Sequence, residues 1–392
     1  MDKTALMSGQ AGGGGAPSVS VIVPTYNRSR LLVECVRTLV EQTVPPLEII
    51  IVDDGSSDDT ATAVRSLPGP VRYVRKANGG KSVAVNLGLS LAQGDIIWFF
   101  DDDDWAEPDA IEQRLKVLSN RPELGFVGAG HFLGHADARG GRVISARRHM
   151  PAHPVDVVHL RLFEDCFFSL CSVLARRTCY EAVGGFDPKL KSSEDYDVLL
   201  RLASHFQFDV LDVPVFTVRQ HDGVRGAGEA IYQAHQRREV FRRSDRVIGV
   251  KLRSGLPLSG YLALPAPVDD LNQAQIVQAY LSRAVVMASK GLIDDMFEDL
   301  LAVASLSEIR LASSHLLRAR GALMCDYAFD AVQEMGPVFR QRWRELRALG
   351  PVGMQLAQTL RHALWLMARM RTPMPWSERF AKFAAWVALF RR

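Results

Sequence analysis

The sequence predicts an α/β protein in which a mainly parallel sheet is followed by a helical C-terminal region. From residue 18 to about residue 130, short β-branched or aromatic runs alternate with helical patterns. Polar segments directly follow three of these runs, and beyond Pro257, Pro265 and Pro267 only amphipathic helical patterns remain. Strands that alternate with helices build a parallel sheet, and the ligands of such sheets bind at the carboxyl ends of the strands.

The elements follow from local patterns. The predicted buried strands cover residues 19–23, 48–52, 71–75 and 95–100. Apolar residues recur at i, i+3, i+4 and i+7 in the pairs Leu31-Leu32, Cys35-Val36 and Leu39-Val40, which predicts a helix between the first two strands. Further helices are expected directly after residues 78–80 and at Pro108, because proline suits the first helical turn.

The C-terminal region is predicted to hold helices over residues 269–290, 292–304 and 305–324. Gly291 would end the first of them, and Ser305 with Glu308 would form a capping box at the start of the last. We therefore predict a flexible leader over residues 1–17, an α/β domain over 18–245, and a helical region with a basic amphipathic tail over 246–392.

Composition limits the function classes. At 392 residues, with 47% hydrophobic and 23% charged residues, the chain is long enough for two globular domains. A net charge of +3 does not favour nucleic acid as a partner. Five cysteines without a CxxC pair favour reduced thiols and a cytoplasmic protein over disulfides or zinc. The sequence has no uninterrupted apolar run of 18 residues, so no membrane span is expected.

The basic tail has two interpretations. From Pro337 to Arg392 there are eleven Lys and Arg but only two Glu, a net charge of +9, and residues 364–392 interleave aromatic with basic side chains. This composition is typical of a helix that lies in an anionic membrane surface, which would give a peripheral contact at the inner face of the membrane. A terminal helix packed on the body, with solvated arginines, would look the same in sequence.

Three polar segments are placed at one edge of the predicted sheet: "PTYNR" at 24–28, "DDGSSDD" at 53–59 and "DDDD" at 101–104. Any one of them could be a solvated turn, since Asp-Gly is a common turn pair. In an extended segment Asp101 and Asp103 would point to the same side, and two such carboxylates suit Mn²⁺ or Mg²⁺. The competing interpretation is a solvated acidic loop.

A metal held in this way needs a polyanion to complete its ligands. No GxxxxGK[ST] loop is present and no GxGxxG follows the first strand, which argues against a P-loop NTPase and a dinucleotide-binding dehydrogenase. The first turn instead offers an aromatic ring, hydroxyl and amide groups and the cation Arg28. Asp54 could accept from a base N–H or a ribose hydroxyl, and Lys81 at a helix N-terminus could contact phosphate.

These motifs, in order, resemble those of the family 2 glycosyltransferases, which are inverting enzymes with a GT-A fold. The matching stretches are "SVIVPTYNR", "EIIIVDDGSSDDT", "NGGKSVAVNLGL", "GDIIWFFDDDDWAEPDAI" and "VGGFDPKLKSSEDYDVLLRLA". The resemblance covers about residues 18–221. It implies the nucleotide-diphospho-sugar transferase fold, a UDP-sugar donor with Mn²⁺ or Mg²⁺, and a saccharide, glycolipid or small-molecule acceptor.

The resemblance also assigns roles to residues. Asp101 and Asp103 match the family's DxD motif, with Asp103 as the direct metal ligand, and Asp195 matches the catalytic base. The predicted donor-binding residues are Pro24, Thr25, Tyr26, Arg28, Asp54, Lys81, Asp101 and Asp102. The predicted acceptor-side residues are Gly185, Phe186 and Glu194, and His221 is a further candidate for the metal or the diphosphate.

Two of these assignments have alternatives. His221 could be an ordinary loop histidine, and Asp195 could belong to a capping box with Ser192. Where many members of the family have Ala-Arg-Asn, this chain has Ala84-Val85-Asn86, so phosphate contact would fall to Lys81.

Two other functions compete with glycosyl transfer. A sugar-nucleotide nucleotidyltransferase would need a glycine-rich basic loop near residue 24, and "PTYNRSR" has no glycine. A non-catalytic nucleotide-sugar-binding assembly partner could have lost the DxD motif or the Glu194-Asp195 pair, and both are present.

Overall fold

The computed structural model describes residues 16–150, 152, 154–190, 192–220, 237–263, 270–306 and 309–370. Most of the predicted leader, His221 and residues 371–392 of the predicted tail lie outside the described residues. The chain forms two compact units. The first unit comprises Met1–Met150, Leu170–Gly185 and Val210–His221, and the second comprises Pro151–Ser169, Phe186–Asp209 and Asp222–Arg392.

The N-terminal part of the sheet is parallel, as predicted. Its strands run side by side in the order β3-β2-β1-β4, and every pair among them is parallel. The elements are β1 (Val19–Thr25), α1 (Ser29–Val40), β2 (Glu48–Asp53), α2 (Thr60–Arg65), β3 (Val71–Arg75), α3 (Lys81–Leu91) and β4 (Ile96–Phe99). The predicted face of α1 is buried, because Leu32, Cys35, Val36 and Leu39 all pack inside.

Beyond β4 the sheet continues in the order β4-β8-β6-β9-β5, with β7 paired to β6. The pairs β4-β8, β8-β6, β6-β7 and β9-β5 are antiparallel. The remaining strands are β5 (Trp105–Ala106), β6 (Leu124–Ala136), β7 (Arg142–Arg148), β8 (Leu174–Arg176) and β9 (Gln207–Arg219). Helix α4 (Ala110–Asn120) begins two residues after Pro108, and α6 (Arg177–Val183) follows β8. All seven residues of β7 are exposed.

The second unit is mainly helical, which confirms the predicted helical C-terminal region. Its helices are α5 (Val158–Glu164), α7 (Glu194–His205), α8 (Arg237–Gly255), α9 (Gln273–Ser289), α10 (Ile293–Ser305), α11 (Ser313–Gly321), α12 (Asp326–Met335), α13 (Pro337–Ala348) and α14 (Gly350–Met370). Leu281, Phe297, Phe339 and Leu360 are fully buried members of one apolar core.

The boundaries of the C-terminal helices differ in part from the prediction. Gly291 follows the end of α9 with φ of 72°, the backbone conformation expected of a glycine that ends a helix. The helix predicted to start at Ser305 is wrong, because α10 continues through Ser305 and the next helix starts at Ser313. Among the described helices, none combines the length and the hydropathy that a membrane crossing requires.

Candidate active site

Residues 101–104, which we call the acidic turn, follow β4 at its carboxyl end. They form a turn rather than a strand, so the alternation of side chains that we used to pair Asp101 with Asp103 does not apply to them. Asp102 and Asp104 are buried, each about 5% exposed, whereas Asp101 and Asp103 are half-buried. The four carboxylates therefore occupy different environments, and different partners compensate them.

Arg28 and Thr25, both from the first turn, hold the middle of the acidic turn. Arg28 Nη1 donates to Asp102 Oδ1 at 3.0 Å and to Asp103 Oδ2 at 2.8 Å. Thr25 Oγ1 donates to Asp102 Oδ2 at 2.6 Å. Burial raises the pKa of Asp102 to about 6; Arg28 opposes this shift and the neighbouring Asp103 adds to it.

Lys81 compensates the first acid of the turn. It is the first residue of α3, after Gly80 with φ of 88°, and its Nζ donates to Asp101 Oδ1 at 2.6 Å. Both side chains of this pair are about two-fifths exposed, at 41% and 37%. An ion pair in contact with water can be exchanged for a ligand at little cost.

Asp104 has a different environment. Its Oδ1 accepts from the backbone N–H of Arg219 at 2.9 Å, and burial raises its pKa well above the usual range, with Asp103 and Asp101 adding to the shift. The Arg219 guanidinium lies 3.7 Å from the centre of the Trp105 ring and donates to Glu34 Oε2 at 2.6 Å. Sequence analysis missed Arg219, because a separation of 115 residues from Asp104 leaves no local pattern.

One group of donor atoms in the described part of the chain is compact enough for a metal ion. One atom each from Asp101, Asp104 and Cys171 lies within 4.8 Å of the others. Burial raises the pKa of the Cys171 thiol well above its usual range, and Asp101 and Asp104 add to the shift. A neutral thiol is a poor ligand, whereas carboxylate oxygens fit Mn²⁺ or Mg²⁺. Asp101 thus belongs to a compact donor set, and Asp103 as direct ligand stays a prediction.

Asp54, the predicted contact of the base, is buried and serves a loop in this structure. Its carboxylate accepts from Lys76 Nζ at 2.5 Å and from the backbone N–H groups of Gly79 and Gly80 at 2.9 and 2.7 Å. It thereby holds the segment that leads into Lys81 at the start of α3. Lys76 was not predicted, although a basic residue directly after β3 is a signal that could have been used.

Pro24 and Tyr26 belong to the same turn as Thr25. Pro24 is buried at the end of β1, where it pairs in register with Val52, whereas Tyr26 is 39% exposed. The first unit therefore brings together the predicted residues of the first turn, the acidic turn and Lys81. The ring of Tyr26 remains accessible to a ligand.

Gly185 also lies in the first unit, next to Asn86 of α3. A Cβ atom at position 185 would come within 2.2 Å of Asn86 Oδ1, so the close approach requires glycine there. Phe186 begins the following segment of the second unit and is 3% exposed. An inward-packed Phe186 can shape an acceptor site only through its neighbours.

Asp195 lies in the first turn of α7, in the second unit, and is half-buried. Its Oδ1 accepts from the backbone N–H of Tyr196 at 2.8 Å. The residue before the helix is Ser193, with φ of 59°, and it makes no side-chain cap hydrogen bond within the described residues. The Ser192 hydroxyl is hydrogen-bonded to that of Ser244, and the cap position of α7 is occupied by Ser193 rather than by the predicted Ser192.

A lysine that sequence analysis missed forms ion pairs with two acids close to Asp195 in the sequence. Lys251 Nζ of α8 donates to Asp187 Oδ2 at 2.5 Å and to Asp197 Oδ1 at 3.2 Å. Glu194 is half-buried at the start of the same helix. The segment from Phe186 to α7 is thus fixed at both ends, while Asp195 keeps contact with solvent.

Comparisons with known proteins agree with this geometry. Residues 20–164 match the model of the family described as glycosyl transferase family 2. Chondroitin synthase of Pasteurella multocida is 31% identical over 199 residues, which is 50% of this chain and 20% of that protein. An uncharacterized glycosyltransferase of Bacillus subtilis, EpsJ, is 37% identical over 126 residues, 31% of this chain and 36% of that protein. The chain therefore spans only about a fifth to a third of the length of these relatives.

A solved structure shows the same fold. Staphylococcus aureus TarS residues 1–349, in complex with UDP-GlcNAc, superimposes with a TM-score of 0.50 at 17% identity. The match covers 91% of this chain and 93% of that one. The predicted GT-A fold is confirmed.

Proposed function

Because this chain belongs to glycosyl transferase family 2 through its residues 20–164, we propose that it is a metal-dependent, inverting glycosyltransferase that uses a nucleotide-sugar donor. The acidic turn at the carboxyl ends of parallel strands, compensated by Arg28 and Lys81, is the observation that carries the proposal. Carboxylates in exchangeable ion pairs suit a site that takes up a cation together with a polyanion.

On the donor side, Asp101 and Asp103 would hold Mn²⁺ or Mg²⁺. When bound, such a cation neutralises charge on the leaving nucleoside diphosphate. Lys81 and Arg28 would turn from the carboxylates to the phosphate oxygens, because their present pairs keep contact with water. The accessible ring of Tyr26 would stack on the base, and Asp54 would contact the base or keep the Gly79–Gly80 backbone in place.

On the acceptor side, Asp195 would act as general base. In a single displacement the acceptor hydroxyl gives its proton to the carboxylate of Asp195 while its oxygen bonds to the anomeric carbon. The bond from that carbon to the diphosphate oxygen breaks, and the configuration inverts. The half-buried position of Asp195 supports this role, since a general base must be held by the protein and also be accessible to the acceptor hydroxyl.

We favour a UDP-sugar as donor, as the family resemblance implies, and a hydroxyl of a saccharide, glycolipid or small molecule as acceptor. A role in polysaccharide biosynthesis would agree with the name of the chondroitin synthase relative. Five free thiols support a cytoplasmic enzyme.

A panel of UDP-, GDP- and ADP-sugars with Mn²⁺ or Mg²⁺ tests this proposal, with released nucleoside diphosphate and thermal shift as readouts. We expect release with a UDP-sugar, loss of release in EDTA, and recovery when Mn²⁺ is added back. Asp103→Asn should mimic EDTA, whereas Glu181→Gln, at an exposed acid of the same unit, should behave as wild type. Full release in EDTA together with an unimpaired Asp103→Asn variant would refute the metal requirement.

The same panel, extended by nucleoside triphosphates with a sugar phosphate, decides between the competing functions. A nucleotidyltransferase would release pyrophosphate from a nucleoside triphosphate and a sugar phosphate. A non-catalytic binding partner would show a thermal shift with a nucleotide sugar but no release under any condition.

The proposed membrane contact rests on the sequence alone, because residues 371–392 lie outside the described residues. Deletion from Pro373 onward should weaken co-sedimentation with anionic liposomes and leave donor hydrolysis intact. A truncated chain that loses its cooperative melting transition would show instead that the tail is part of the packed core.

A further inference from the structure

Lys290 is a buried lysine whose role the proposed reaction does not explain. It follows α9 in the second unit and is 3% exposed. Its Nζ donates to the hydroxyl of Tyr196 at 2.6 Å and to the backbone oxygen of Glu164 at 3.2 Å, and both acceptors are neutral. Burying an ammonium group is costly, and within the described residues Lys290 forms no ion pair with a carboxylate, so its position must serve another purpose.

The hydrogen bonds lead from Lys290 to the end of another helix. The Tyr196 hydroxyl, which accepts from Lys290, lies 2.7 Å from the backbone oxygen of Leu162 and 3.1 Å from that of Phe163. Together with Glu164, these residues form the last turn of α5, whose carbonyl groups have no partner within the helix. The ammonium group also complements the negative end of the α5 dipole. Lys290 and Tyr196 therefore join the end of α5 to the start of α7.

Asp195 is the neighbour of Tyr196 in that first turn of α7. The Asp195 carboxylate accepts from the Tyr196 N–H at 2.8 Å, so the backbone that Tyr196 fixes also orients the carboxylate. The ring of Tyr196 is 3% exposed and held at its far end by Lys290. A displacement of this ring would move the backbone that carries Asp195.

Lys290 is also the cation that faces the acids around Asp195. Burial raises the pKa of Asp245 on α8; Lys290 opposes this shift, and Asp165 and Asp195 add to it. The other titratable groups that face Lys290 are the thiols of Cys166 and Cys325. Without Lys290, Asp245 would lose the charge that opposes the rise of its pKa, and it would hold its proton to a higher pH.

We infer that Lys290 is a positioning residue for Asp195, acting through Tyr196; the inference rests on the proposed role of Asp195 as general base. This role gives the C-terminal region a part in the reaction, because Lys290, directly after α9, supplies the cation that keeps the base oriented.

Arg283 provides a matched control. It lies on α9, the helix that Lys290 directly follows, is 16% exposed, and pairs with the buried Asp299 at 2.6 Å. Asp299 would keep Arg253 as a second partner at 3.0 Å if Arg283 were removed. Lys290→Met and Arg283→Met therefore each remove one mostly buried cation from this part of the second unit, but only the first removes contacts to the turn of Asp195.

The test compares these variants in release of UDP from UDP-N-acetylglucosamine with Mn²⁺, or from whichever sugar nucleotide of the panel is released fastest. We expect Lys290→Met to lower kcat about 10- to 100-fold, the loss typical of a misplaced catalytic group, with little change in KM for the donor. Arg283→Met should lower the Tm but keep both kcat and the KM for the donor.

Hydrogen exchange of the amides at the start of α7 gives a second readout that needs no turnover. Lys290→Met should speed this exchange, and Arg283→Met should not. The inference is overturned if Lys290→Met keeps wild-type kcat and exchange, or if Arg283→Met changes them equally. Absence of release by the wild-type protein with every donor would instead refute the glycosyltransferase proposal, and exchange would still decide whether Lys290 holds the turn.

Discussion

The acidic turn of the first unit and the Lys290 centre of the second unit compensate charge in opposite ways. In the acidic turn, carboxylates are matched by Arg28 and Lys81, whose side chains are 28% and 41% exposed. At Lys290, a cation that is 3% exposed is held by a phenol and a backbone carbonyl. In the acidic turn the compensating groups are charged side chains in contact with water. At Lys290 they are neutral dipoles away from water.

This difference indicates which of the two sites can exchange its ion pairs for a ligand. A solvent-exposed ion pair is worth little, so Lys81 can leave Asp101 when a stronger anion arrives. A buried ammonium group is cut off from water, so losing any of its hydrogen bonds is expensive. We therefore assign exchange of ligands to the acidic turn and rigidity to the neighbourhood of Asp195.

The largest expected effect separates binding in the first unit from chemistry in the second. Asp195→Asn keeps the shape of the side chain and its oxygen toward the Tyr196 N–H, but it cannot accept a proton. Transfer should fall by about 10²–10⁴-fold, the range for a general base. Nucleotide affinity, measured by calorimetry, and the Tm should stay near wild type.

Glu298→Gln, at an exposed acid of α10, is the control for loss of one negative charge from the second unit. It should leave the transfer rate unchanged. If Asp195→Asn transfers sugar within a few-fold of wild type at saturating acceptor, the assignment of chemistry to Asp195 is wrong, and Glu194 becomes the acid to test.

An intermediate effect is expected at Asp54. This carboxylate lies in the first unit but, like Lys290, is buried and held by hydrogen bonds. Asp54→Ala removes the acceptor for Lys76, Gly79 and Gly80, so binding of UDP should weaken by about 1–3 kcal/mol. Calorimetry with UDP and with pyrophosphate, each with Mn²⁺, distinguishes two reasons for this.

If Asp54 contacts the base, only the affinity for UDP should fall. If Asp54 holds the loop of Lys81, both affinities should fall together, and the variant should also melt earlier. Unchanged binding of both ligands would contradict either role.

The smallest effect concerns His159, a buried imidazole of the second unit that stays neutral in the folded protein. It is 1% exposed, its Nε2 donates to the backbone oxygen of Leu262, and burial lowers its pKa to about 4. Below its ordinary pKa of about 6.5 the unfolded chain binds a proton that the folded chain refuses, so the free energy of unfolding should fall as the pH drops from about 6.5 to 4.

His159→Gln should flatten this decline by up to about 3 kcal/mol, measured by urea unfolding at pH 7 and pH 4. The exposed His205→Gln variant serves as the control. If the free energy of unfolding declines equally in wild type and in His159→Gln, burial does not keep His159 neutral in the folded protein.

The sequence predicted those features that local patterns record. Four strands and the buried face of α1 followed from hydrophobic spacing, and the residues of the first turn and the acidic turn met as the rule for parallel sheets requires. The side-chain directions of Asp101 and Asp103 could not be predicted, because alternation ends where the strand ends.

Partners remote in sequence were also beyond prediction. Arg219 reaches Asp104 by its backbone N–H, which any residue offers, and Lys290 binds neutral oxygens 94 and 126 residues away. A charge pattern in the sequence can suggest ion pairs between residues of opposite sign. It cannot suggest an ammonium group that is held by a backbone carbonyl and a phenol.

The exposed strand β7 has a consequence for how the protein behaves when it is concentrated. In the described part of the chain β7 pairs with β6 alone, and it exposes Val143 and Ile144 along the sheet margin. A bare strand margin of this kind invites a second molecule to extend the sheet. Arg142 and Arg147 of β7 are paired with Glu107 and Asp212, so charged groups flank the apolar pair at this margin. Charged side chains on an edge strand oppose the addition of another strand, and removing these pairs would leave Val143 and Ile144 open to association between copies.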